Sequence, residues 1–172
     1  MKGSKLIIIF LPIVVVVALI AVFGFFFING QPKEVATVKQ VMSAMTERGF
    51  TPVDSTDTFR SAWGENGIHL EESVSFELGS TKMHFFVTDS DGFAQSLRSS
   101  YFSYLKYKSG RFGTSGTNIE YSSSMANFTV YTVKTDKYYS VCTRVGNTVL
   151  YAEADIDANK QLLQIIKKIG YN

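Results

Sequence analysis

The chain has 172 residues, with 17 basic against 15 acidic side chains, one cysteine and two histidines. Setting aside Lys2 and Lys5, the remainder carries 15 of each sign, and a formally neutral domain gives no reason to expect a nucleic-acid partner. A single cysteine, Cys142, excludes an internal disulfide and fits an export route without strong thiol oxidation, as on the outer face of a Gram-positive cell.

Residues 1–5 read as a short cytoplasmic N-terminus bearing Lys2 and Lys5. Residues 6–28 carry no charged side chain, and as a helix they would span roughly 34 Å, enough for a hydrocarbon core of about 30 Å. The run ends in Gly24-Phe25-Phe26-Phe27-Ile28, without the small residues that a signal peptidase needs. Together with the basic flank this predicts an uncleaved single-pass signal-anchor at the cell membrane, N-terminus inside and the C-terminal domain extracytoplasmic. Residues 29–32 are a linker, and residues 33–172 form one extracytoplasmic domain.

Within that domain, Val35, Val38, Val41, Met42 and Met45 recur at helical spacing over residues 33–48, with Gly49 as a C-cap and Phe50 folding back. A short helix is expected over residues 57–63, with Phe59, Ala62 and Trp63 on one side and Gly64 ending it. Residues 68–78 alternate, with Ile68, Leu70, Val74, Phe76 and Leu78 on one face. Gly79-Ser80 then turns the chain, setting Phe76 against Met83, Val74 against Phe85 and Glu77 against Lys82. Asp89, Ser90 or Asp91 caps a helix to about Tyr107 with the stripe Phe93, Leu97, Tyr101, Tyr104 and Leu105, followed by a glycine-bearing flexible segment over 109–116.

Strands are predicted at 119–122, 126–133, 138–145 and 148–154, the last two joined through Gly146-Asn147. Asp155 or Asp157 caps a final helix with Leu162, Leu163, Ile165, Ile166 and Ile169, closed by Gly170-Tyr171. The stretch from Lys39 to Phe50 echoes that from Lys160 to Tyr171, which two independent amphipathic helices with the same C-cap chemistry explain. The fold class is α+β, helices packed on a twisted antiparallel sheet.

Few residues suggest chemistry. Cys142 falls between Tyr131 and Tyr151 in the expected pairing, with no base beside it, and reads as a small strand residue. His69 and His84 lie on one hairpin roughly 20 Å apart, too far to share an ion. Asp89-Ser90-Asp91-Gly92 is a turn and cap, and the spaced glycines at 110, 113 and 116 match no phosphate loop. No catalytic residue, cofactor or metal site is assigned.

Charge is unevenly spread. Arg98, Lys106, Lys108 and Arg111 stand in a stretch without acids and could contact an anionic wall polymer or lipid headgroup. The stretch from Gly64 to Leu78 holds Glu65, Glu71, Glu72 and Glu77. Tyr131, Tyr138 and Tyr151 share the sheet face opposite Phe128, Val130, Val141 and Leu150. That face is either an open partner surface or core beneath a helix.

The anchor, the cysteine-poor head and the stretch from Val145 to Ala152 ahead of Lys167-Lys168-Ile169-Gly170-Tyr171 resemble uncharacterised small signal-anchored extracytoplasmic proteins of low-GC Gram-positive bacteria. That resemblance names no activity and transfers no site. The reading is a membrane-tethered, non-catalytic interaction module for an envelope protein or anionic envelope component. The alternative is a cell-envelope hydrolase whose active site the sequence does not reveal.

Mass spectrometry of the membrane fraction is expected to recover peptides preceding Lys33 from the intact chain. A mature head beginning near Asn29 would overturn the anchor.

Overall fold

The computed structural model describes residues 32–111, 117–122 and 127–172, of which 109–111 and 117–122 by backbone alone. The apolar run 6–28 lies outside them, and no helix among the described residues is long and apolar enough to cross a membrane. Residues 33–172 form one compact α+β unit.

The chain order is α1 (Val38–Thr46), β1 (Val53–Asp54), α2 (Thr56–Gly64), β2 (Leu70–Leu78), β3 (Thr81–Thr88), α3 (Asp91–Arg111), β4 (Thr117–Ser122), β5 (Phe128–Lys134), β6 (Tyr138–Val145), β7 (Thr148–Asp155) and α4 (Asn159–Lys168). The described strands make one sheet in the order β1-β2-β3-β7-β6-β5-β4, every neighbouring pair antiparallel. Six strands are of ordinary length and β1 is a two-residue edge piece.

Both sheet faces are covered. α1 and α4 bury Val41, Met45, Leu162 and Ile165 against Val74, Phe76, Met83, Phe85, Val141 and Leu150. α2 and α3 close the other face over Phe86, Val149, Tyr131, Cys142 and Tyr151, with Leu97 and Leu105 buried and Phe59, Trp63, Phe93, Tyr101 and Phe102 packed against them. Each large apolar side chain sealed this way contributes about 1.5–3 kcal/mol.

The first hairpin has the expected register: Phe76 opposes Met83, Val74 opposes Phe85, and Glu77 opposes Lys82. The expected single face does not extend to its start. A bulge between Leu70 and Glu72 shifts the phase, so Ile68 and Leu70 enter the α3-side core while Val74 and Phe76 enter the other. Leu78, expected inward, is 64 % exposed beside the turn.

Helix ends differ in three places. α1 starts only at Val38, because Thr37 forms a capping box with Gln40. α3 runs to Arg111, through part of the segment expected to be flexible; residues 112–116 are outside the described set. α4 has Ala158 at its N-cap with no side-chain cap, since Asp155 ends β7 and its carbonyl accepts the Ala158 N–H. Along α3, Tyr104 leaves the predicted stripe for the surface, 46 % exposed.

α1 and α4 end alike. Gly49 (φ +82°) and Gly170 (φ +78°) take the left-handed conformation, letting Phe50 N–H bond Met45 O and Tyr171 N–H bond Ile166 O. The aromatic after each glycine drops into the same core, Phe50 stacking on Phe76 and Tyr171 packing on Phe85. Tyr171 does more than fill space. Its hydroxyl lies 2.5 Å from Thr148 Oγ1 and accepts the Ala36 N–H at 3.1 Å, and its carbonyl accepts from Thr143 Oγ1.

Tyr171→Phe, which keeps the ring and removes both hydroxyl bonds, is expected to cost about 1–3 kcal/mol. Urea unfolding of the detergent-solubilised chain, read as a lower midpoint at unchanged slope, checks it.

Candidate functional site

The residues singled out by sequence are mostly turned inward. Cys142 sits between Tyr131 and Tyr151, as expected, and is fully buried with its thiol 3.9 Å from Arg98 O. Burial pushes that thiol up to about 12, so it stays protonated and unreactive at neutral pH.

The tyrosine-bearing face is core. Tyr131 and Tyr151 are buried under α3, Tyr101 stacks on Tyr151 with centroids 4.5 Å apart, and Phe102 meets Tyr131 edge-on; Tyr138 is partly buried at the same interface. His69 packs on Phe93, while His84 is buried against Phe59 and Tyr151. Burial lowers the His84 pKa, opposed by Glu77 at 3.8 Å.

The basic segment is not one patch. Lys108 forms an ion pair with Glu153, both side chains mostly buried, and its ammonium lies 4.8 Å from the Tyr138 ring. Arg98 lies over Phe102. Lys106 is on the exposed side of α3, and the side chain of Arg111 is outside the described residues. Lys108 thus pins α3 to the sheet, because Glu153 is its partner across 45 residues of sequence.

A cleft of about 540 Å³ opens beside α1 and the end of α4, lined by Lys33, Gln40, Ser43, Lys168 and Gly170 among others. Its cations are occupied: Lys33 Nζ donates to Gly170 O and Asn172 O, and Lys168 pairs with Glu47. Burial lowers the Lys33 pKa.

The β1/β2 edge is different. Asp54 of β1 and Glu71 and Glu72 of β2 are exposed there, as are Asp57 and Glu65 along and after α2 and Glu77 near the hairpin turn. The one arginine in this stretch, Arg60, bends back to the bulge, donating to Leu70 O at 3.1 Å and Glu71 O at 2.8 Å and pairing with Asp57. Ser55 and Thr56 similarly bond the outward backbone of Ser73. Hydrogen bonds from Thr56 hold the Asp54 carboxyl below the usual carboxylate range. Among the described residues no cation lies within ion-pair distance of Asp54 or Glu72.

Between these two carboxylates is a pocket of about 150 Å³ floored by Val38, Met42 and Val74 and completed by Thr56 and Ser73. Val53, 58 % exposed, stands beside it on the strand. Sequence showed the surplus of glutamates here, but not that α1 would supply an apolar floor beneath them. No group of three or more metal-ligating side chains occurs among the described residues.

Comparison with known proteins finds no matching family model, no similar curated protein and no similar solved structure.

Glu153 yields the sharpest test of the interior. Burial alone would raise its carboxyl, but bonds from Lys108 and the Tyr151 hydroxyl outweigh this and bring it below the ordinary value. Its stabilisation is therefore present above the unfolded carboxyl pKa and lost as pH falls through the lower folded one. Glu153→Gln is expected to cost about 1.5–3 kcal/mol at neutral pH. The wild-type advantage should vanish on acidification below about pH 4. Paired thermal melts across pH check both.

Proposed function

We propose that this chain is a single-pass, membrane-tethered interaction module of the cell envelope, with residues 6–28 as the anchor and the 33–172 head displayed outside. It acts by docking another envelope protein, without catalysis. The observation that carries this reading is the β1/β2 edge: exposed carboxylates at Asp54 and Glu72, neither in an ion pair among the described residues, beside an apolar-floored pocket. Polar rim around apolar floor is the make-up of protein interfaces.

The 23 uncharged residues at 6–28 support the tether. An anionic wall or lipid component is less well supported as partner, since Lys108 is committed to Glu153 and Arg98 lies on Phe102. The sealed Cys142 thiol counts against a thiol hydrolase.

A photo-crosslinking residue placed at Val53 in intact cells is expected to give a discrete adduct with one envelope protein, identified by mass spectrometry, whereas one at Lys106 is not. Adducts absent at both positions, or confined to Lys106, would overturn the proposed docking edge.

A further inference from the structure

We infer that the pocket at the β1/β2 edge receives a lysine or arginine side chain presented by a basic segment of the partner polypeptide, an inference that rests on the interaction reading above. Three features converge on that ligand. The first is size: about 150 Å³ is of the order of one long side chain. The second is the vertical arrangement of polarity. Val38 and Met42 of α1 are only partly buried and, with Val74, form an aliphatic floor. Asp54 stands opposite Val74 across the β1/β2 pair, and Glu72 lies two residues before Val74 on the same strand face, so both carboxylates rise beside that floor. A long basic side chain matches this, laying its methylenes on apolar surface while its charged head reaches the anions.

The third feature is electrostatic vacancy. Hydrogen bonds from Thr56, the backbone one to Oδ1 at 2.9 Å, keep the Asp54 carboxyl below the usual carboxylate range, and it has no ion-pair partner among the described residues. The one nearby arginine, Arg60, donates to the bulge carbonyls and pairs with Asp57, acting on Asp54 only through its field. Two carboxylates flank the one pocket, Asp54 on β1 and Glu72 on β2, and a basic side chain entering it meets both.

Other occupants fit less well. A second copy docking through the same edge would set two acidic poles face to face. A divalent cation wants about six to eight oxygen ligands, whereas two carboxylates flank this pocket over a floor of aliphatic side chains.

The test uses the full chain in detergent micelles and fluorescein-labelled tetralysine as probe. Saturable binding is expected, with methyl NMR shifts concentrated at Met42, Val38 and Val74. Asp54→Asn with Glu72→Gln should weaken binding about tenfold or more, while Glu65→Gln with Glu71→Gln, the same change in net charge off the pocket, should alter it about twofold or less. Glu72→Gln alone breaks no hydrogen bond among the described residues and serves if the Asp54 change loosens α2. Equal losses in both double variants, absence of a Met42 shift, displacement of tetralysine by calcium or magnesium with the same methyl shifts, or tetralysine-sensitive self-association in sedimentation would each overturn the inference. If the Val53 crosslink survives in the Asp54→Asn, Glu72→Gln chain, the pocket inference falls while the interaction reading stands; its loss there supports both.

Discussion

The pairing of β3 with β7 is the constraint on which the rest of the head depends. Phe85 opposes Leu150 and Met83 opposes Ala152, joining strands more than sixty residues apart at the centre of the sheet. Without it, β1-β2-β3 and β4-β5-β6-β7 would be two separate meanders, each with a bare inner edge. Closing a long connection costs only logarithmically more entropy than closing a short one, so the pairing is readily offset by the burial it creates. That burial is two-sided. Met83 and Phe85 enter the core beneath α1 and α4, while Phe86 enters the one beneath α2 and α3.

This two-sidedness explains which structural features the sequence made legible. A hairpin half-buried on one face announces its register through alternation, and the Gly79-Ser80 pairing was readable to the residue. Past Glu71 the alternation breaks, because a bulge changes phase without changing composition, and nothing local marks it. Phe85-Phe86 carried a signal of a central strand that the alternation passed over, since adjacent large apolar residues point to opposite faces and both need cover. The same logic settles the tyrosines: Tyr131 and Tyr151 face α3, whose Tyr101 and Phe102 stack on them. A helix of mixed serines and aromatics gives a weak periodic signal, so its role as a lid over that face came only from the tertiary structure.

Charge was legible as a tally and opaque as a surface. The basic run near α3 and the acidic run around β2 were both visible, yet their fates are opposite. Lys108 finds Glu153 on β7 and becomes a structural tie, removing one member of the basic set. Arg60, the one cation of the acidic stretch, divides itself between Asp57 and the backbone carbonyls at the bulge. The irregularity in β2 thus splits the hairpin between two cores and holds Arg60 beside the bulge, while Asp54 and Glu72 have no ion-pair partner among the described residues.

The pocket beneath those carboxylates is rigid because α1 is held from several sides. Before its first turn, Ala36 N–H is bound by the Tyr171 hydroxyl, and both backbone groups of Lys33 are taken by the Asn127 amide. At its far end Glu47 pairs with Lys168, and Phe50 stacks on Phe76. Val38 and Met42 thus stand on a helix fixed at entry and exit, and Val74 stands on a strand of the main sheet. A side chain entering there meets walls already in place, so its gain in contact is little reduced by ordering the receptor. The ordering cost falls on the incoming segment. Selectivity at such a site comes from the ligand's reach and charge together: a shorter cation loses the floor, and a neutral chain of equal length gains nothing from the two carboxylates.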